Sequence, residues 1–134
     1  MDARVVQLWW FLPVGYLLTV AVETPVLVLG LSSARHTARR KVLSGLWLTA
    51  CTYPVVVLVL PLLFQSSSRF AYLVTAETFA PVAECALFWA AFGERDEPGR
   101  ASMWRDFAAI TAANLLSFAL GEVLNVYGWF GVVS

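Results

Sequence analysis

Charge is what this sequence has least of. Asp, Glu, Lys and Arg make up 13% of its 134 residues, where an average soluble domain carries about a quarter. Nine basic residues balance nine acidic ones, so the long-range attraction that draws a protein to nucleic acid is missing. Only two cysteines are present, Cys51 and Cys85. They make no CxxC, no zinc-ligand spacing and no disulfide framework. The single histidine, His36, falls in a basic stretch and reads as solvated. There is no phosphate-binding loop, no HExxH and no GxSxG, so soluble enzyme chemistry has no foothold. No organic cofactor is implied.

What is present in excess is apolar surface. Hydrophobic residues make up 60% of the chain. A small soluble domain leaves about a third of its area in water and has nowhere to hide that much. Crossing a bilayer core as helix takes about 20 apolar residues, and four runs meet this: 7–31, 42–64, 70–92 and 107–130. The first is too long for a signal peptide, carries Glu23 and lacks a small-residue cleavage site. The expected fold is therefore an all-α membrane protein, a single domain over 1–134, built as a bundle of four transmembrane helices with short loops. The polar connections fall at 32–41, 65–69 and 93–106.

Lysine and arginine set the orientation of such a bundle. The first connection carries Arg35, Arg39, Arg40 and Lys41, and the third carries Arg95, Arg100 and Arg105; Arg4 and Arg69 mark the other side. This bias places the first and third connections in the cytoplasm and both termini outside it. Trp9, Trp10 and Trp129 then fall at one interface and Trp47, Trp89 and Trp104 at the other, as amphipathic rings do. Scarce Lys and Ile beside abundant Ala, Val, Leu and Arg point to a GC-rich genome and a bacterial inner membrane, with the lipid bilayer as the first partner.

Inside the spans lie Glu23, Glu77, Glu84 and Glu122, with Asn114 and Asn125. A charged residue at a helix centre costs about 2.5–3.5 kcal/mol on insertion scales, and each Leu or Val returns only about 0.3–0.6. The third span, with two glutamates, Pro81 and many alanines, needs its neighbours around it. At 1.5 Å per residue, Glu23, Glu84 and Asn114 all lie about 4–6 Å to the cytoplasmic side of their span centres. Cys51 and Cys85 fall near the same level. Glu77 and Glu122 lie about 6 Å to the other side, with Asn125 further out. Two polar layers are expected, each drawn from several helices.

Spacing agrees. Glu77 and Glu84 are seven apart and share a face. Ala113, Ser117 and Gly121 form a small-residue ridge that favours close helix approach. Pro25, Pro54 and Pro81 each free a carbonyl four residues earlier, on Ala21, Ala50 and Glu77, and such breaks are expected to line a cavity. A weak echo links the stretch around Tyr16 and Glu23 with that around Tyr72 and Glu77, as in a parallel repeat of two hairpins.

Ionisable residues at membrane depth point to function. The leading expectation is a small transporter or channel component for protons or a metal cation. Glu23, Glu84 and Asn114 form its inner site, Glu77, Glu122 and Asn125 its outer one, and Glu23 with Glu84 are the metal ligands if the ion is a metal. Four helices are expected to enclose little space, so a conducting path calls for a homo-oligomer or a larger membrane complex. The alternative is a non-catalytic membrane subunit or assembly factor, its glutamates paired with a partner's helices. A thiol-redox enzyme using Cys51 and Cys85 ranks third.

Overall fold

A computed structural model of the chain describes residues 3–93 and 97–128. These residues are helical almost throughout: α1 (Ala3–Gly30), α2 (Ala38–Pro54), a π-helical turn (Val55–Val59), α3 (Leu60–Leu63), α4 (Arg69–Phe92) and α5 (Glu97–Val126). Because α2, the π turn and α3 run on without a break, the described residues form four rods. Each is long and apolar enough to cross a membrane: Val5–Gly30, Ala38–Leu63, Arg69–Phe92 and Arg100–Val126. More of their large apolar side chains are exposed than buried; Leu17, Leu29, Leu63 and Val126 are among the exposed ones. Trp10 and Trp104 are also exposed, whereas Trp47 packs on the core. Arg95, Trp129 and Phe130 lie outside the described residues.

The helices extend beyond the apolar runs that announce them. The fourth begins at Glu97 rather than near 107, so most of the expected third connection is helix. Hydropathy marks the stretch that suits lipid, while backbone hydrogen bonding continues into polar turns. Thr37 and Ser68 start α2 and α4 by accepting the N–H groups of Arg40 and Ala71, each at 3.2 Å, the ordinary N-cap arrangement.

Around the bundle the order is α1, α2, α4, α5 and back to α1, with each helix packed on its two neighbours. Gly45 lets α2 lie close to α1, since a β-carbon there would run into the Thr24 side chain. Gly121 does not mark a tight crossing. Nothing lies within 4 Å of where its β-carbon would be, so the small-residue ridge closes up only at Ala113 and Ser117.

The end of the bundle that carries Arg35, Arg39, Arg40 and Lys41 is sealed. Leu27, Leu31, Leu48, Phe88, Ala109, Ile110 and Ala113 form its core. Above them the first connection is tied down. Asp106 accepts the Ser32 N–H at 2.8 Å, and its other oxygen lies 2.8 Å from His36 Nε2. His36 is thus buried against the rings of Phe88 and Phe92 rather than solvated. Lys41 is buried too, donating to the Val28 carbonyl and to Ser33 Oγ, and Arg105 donates to the Gly30 carbonyl. These cations answer the orphan carbonyls that end α1.

The prolines divide in two. Pro25 and Pro81 sit inside unbroken helices. Pro54 and Pro61 bracket the π turn: neither has an N–H to give, and Leu60 reaches back five residues to Val55. The freed carbonyls of Ala21 and Ala50 belong to residues on the exposed outer face. The third, that of Glu77, precedes the buried Pro81 and belongs to a residue that faces the interior, so only one of the three expected breaks falls there.

Candidate functional site

Glu23 and Glu84 are each 2% exposed in the middle of the bundle. A buried carboxyl is tolerated only when its oxygens are hydrogen-bonded, and here all four are. Thr49 Oγ1 donates to Glu23 Oε2 at 3.0 Å, and Ser117 Oγ to Glu23 Oε1 at 2.6 Å. Thr52 Oγ1 donates to Glu84 Oε1 at 2.6 Å, and Asn114 Nδ2 to Glu84 Oε2 at 2.8 Å. Ser117 Oγ also lies 3.0 Å from the Asn114 carbonyl. The result is a polar ring that passes through all four rods: Glu23 on α1, Thr49 and Thr52 on α2, Glu84 on α4, Asn114 and Ser117 on α5.

The ring has an internal two-fold pattern. Glu23 is bonded by the first position of the pair in its own hairpin, Thr49, and by the second position of the other pair, Ser117. Glu84 is bonded by Asn114 and Thr52 in the same way. The packing follows suit. Gly15, Glu23 and Leu27 lie 61 residues before Ala76, Glu84 and Phe88, and all six are buried. Lys41, Ser44, Gly45, Leu48 and Thr49 lie 65 residues before Asp106, Ala109, Ile110, Ala113 and Asn114, and all ten are buried. The two hairpins are therefore parallel structural repeats. The sequence echo matched Glu23 with Glu77, whereas the structural counterpart is Glu84, two helical turns further on. A slip of seven residues keeps the face and changes the level.

A cavity of about 570 Å³ opens below the ring and reaches the end of the bundle opposite the basic connections. Glu23, Glu84, Asn114 and Ser117 form its inner wall, while Gln7, Arg69, Glu122 and Asn125 stand at its far end. A single copy thus encloses more space than four helices were expected to. Of the outer candidates, Glu122 is paired with Arg69 Nη2, at 2.9 and 3.1 Å to its two oxygens, in a half-exposed position. Glu77 stands on the cavity wall between the two levels, half-buried and within electrostatic reach of both Glu23 and Glu122. Tyr72, one turn before the glutamates' face, donates its hydroxyl to the Val56 carbonyl inside the π turn at 3.1 Å.

The remaining candidates lie elsewhere. Cys51 is exposed on the outer face of α2; Cys85 is half-buried, with its thiol 3.8 Å from the Phe107 carbonyl, and both are free. Among the described residues, no three His, Cys, Asp or Glu side chains are grouped so as to hold a metal ion. Thr49 and Thr52 were not singled out in the sequence. Their signal was available: two hydroxyls three residues apart in the second span, at the spacing of Asn114 and Ser117 in the fourth.

Comparison with protein-family models, with curated proteins and with solved structures yields no match to this chain.

Proposed function

We propose that this chain is a small membrane transport protein in which Glu23 and Glu84 take up and release protons. The observation that carries this is the choice of acceptors open to two hydroxyls. Thr52 Oγ1 lies 2.6 Å from Glu84 and 3.1 Å from the Leu48 carbonyl. Ser117 Oγ lies 2.6 Å from Glu23 and 3.0 Å from the Asn114 carbonyl. A hydroxyl has one hydrogen and two lone pairs. When the glutamate is ionised, the hydroxyl donates to it. When the glutamate is protonated, the carboxyl donates to the hydroxyl, which turns its hydrogen to the backbone carbonyl. Either state leaves every group satisfied without moving a heavy atom, and avoiding an orphaned buried group saves about 1–3 kcal/mol.

A proton suits this ring better than a metal ion. Each of the four oxygens already accepts from a side-chain donor, and among the described residues no third His, Cys, Asp or Glu joins the two glutamates in a metal-binding group. Protons arrive through the cavity, past the Arg69–Glu122 pair and Glu77; in this conformation the apolar layer above the ring closes the other side, so transport requires that layer to part. In this reading the basic connections face the cytoplasm and both termini lie outside it, in a bacterial inner membrane, as the distribution of lysine and arginine supports.

The test is proton flux in vesicles containing the purified protein and an enclosed pH-sensitive dye. An imposed membrane potential drives protons across with the wild-type chain and not with Glu84→Gln. Equal flux in Glu84→Gln would remove that residue from the mechanism.

A further inference from the structure

The cavity below the ring is far larger than a proton path requires. At about 570 Å³ it falls within the range of small-molecule sites, about 300–1,000 Å³. Its chemistry is one-sided. The titratable and charged groups that face it are Glu23 from α1, Tyr53 from α2, Arg69, Tyr72, Glu77 and Glu84 from α4, and Glu122 from α5. Arg69 is the only cation among these, and Glu122 is already paired with it. That leaves three carboxyl groups with no cationic partner among the cavity's own residues. Two of them are held in the ring by hydroxyl and amide donors. The third, Glu77, accepts no hydrogen bond among the described residues.

The rest of the wall is apolar and aromatic. Phe11, Tyr53, Tyr72 and Phe118 come from all four rods, and two of these, Tyr53 and Phe118, are counterparts under the 65-residue repeat. Aromatic faces attract a cation once it has left water, and a carboxylate beside them supplies the opposite charge. An anion would meet three carboxyl groups and one arginine already paired with Glu122, and among the described residues no three His, Cys, Asp or Glu side chains are grouped for a metal ion.

We infer that this cavity binds a lipophilic organic monocation, with its charge against Glu77 and its apolar groups between Phe11, Tyr53, Tyr72 and Phe118. The assignment rests on the transport reading above and names the substrate class of the same site. It also gives the proton ring a partner process. A cation bound beside Glu77 favours ionised Glu23 and Glu84, and protonation of the ring weakens cation binding by the same factor.

The test is calorimetry on the full chain in lipid nanodiscs, with tetraphenylphosphonium as the probe and tetraphenylborate as its counterpart of matching shape and opposite charge. The phosphonium binds, the borate does not, and binding tightens as pH rises. Glu77→Gln, which disturbs no hydrogen bond of the ring, weakens phosphonium binding by about tenfold or more. Phe118→Leu, which keeps the wall apolar, weakens it as well. Equal binding of the borate, undiminished binding in Glu77→Gln, or no binding of the phosphonium would each overturn the assignment. If the phosphonium binds with full dependence on Glu77 but without pH dependence, the cation site stands and the proton reading of the ring fails. If it does not bind while the ring carboxyls still respond to pH, only the cation site fails.

Discussion

The hydroxyl of Thr52 lies 2.6 Å from Glu84 Oε1 and 3.1 Å from the carbonyl of Leu48. One hydrogen serves two acceptors, so this residue reports the protonation state of its neighbour. The Ser117 hydroxyl stands in the same relation to Glu23 and the Asn114 carbonyl. Both hydroxyls come from the second helix of one hairpin and serve the glutamate of the other.

Removing the Thr52 hydroxyl without changing its shape isolates this device. Thr52→Val leaves Glu84 Oε1 without its donor, and the bundle loses about 1–3 kcal/mol of stability when thermal unfolding is followed in lipid. Thr52→Ser keeps the hydroxyl and restores most of that loss. Proton flux follows the same order, low in the valine variant and largely recovered in the serine variant. Equal flux in all three chains would mean that Thr52 only packs.

Glu84 itself separates charge from structure. Glutamine has the shape and hydrogen-bonding pattern of the neutral acid: its oxygen accepts from Asn114 and its amide donates to Thr52. Glu84→Gln therefore unfolds within about 1 kcal/mol of the wild type while proton movement is lost. Glu84→Ala leaves the Asn114 amide and the Thr52 hydroxyl unanswered and opens a void, at a cost of about 3 kcal/mol or more. A glutamine variant as unstable as the alanine variant would show that the ring needs a carboxylate for folding.

The sealed end makes a separate, structural claim. Asp106 joins the Ser32 N–H to His36, and those bonds span 74 and 70 residues of sequence. Asp106→Ala strips both and destabilises the fold by about 1–3 kcal/mol. It also raises hydrogen exchange at the amides of 31–37, with the ring left in place. Unchanged exchange there would show that the apolar contacts of His36 with Phe88 and Phe92 hold the connection unaided.

The rods and the inner layer were legible because each leaves a one-dimensional trace. Twenty apolar residues in a row specify a span, and counting at 1.5 Å per residue places Glu23, Glu84 and Asn114 at one depth. The ring partners were harder to read. Threonine and serine are as ordinary in apolar helices as in polar ones, so the three-residue spacing that Thr49 and Thr52 share with Asn114 and Ser117 gains meaning only once the rods are packed. His36 and Lys41 look like loop charges in sequence, yet both are buried because the end of α1 presents carbonyls that need donors. Residues 97–106 read as connection because their charges hide a helix from hydropathy. The repeat was the least legible feature: it is kept in burial and hydrogen bonding, where few identities besides Glu23 with Glu84 and Arg40 with Arg105 survive to show it.

The central claim is that two buried carboxyls change protonation in place, and infrared difference spectroscopy of the protein in lipid after a pH jump tests it most directly. The account predicts a reversible change in the neutral carboxyl band of the wild-type chain, reduced in Glu23→Gln and in Glu84→Gln and reduced further in the double variant. A band that does not respond to pH, or one that responds equally in the double variant, would contradict it.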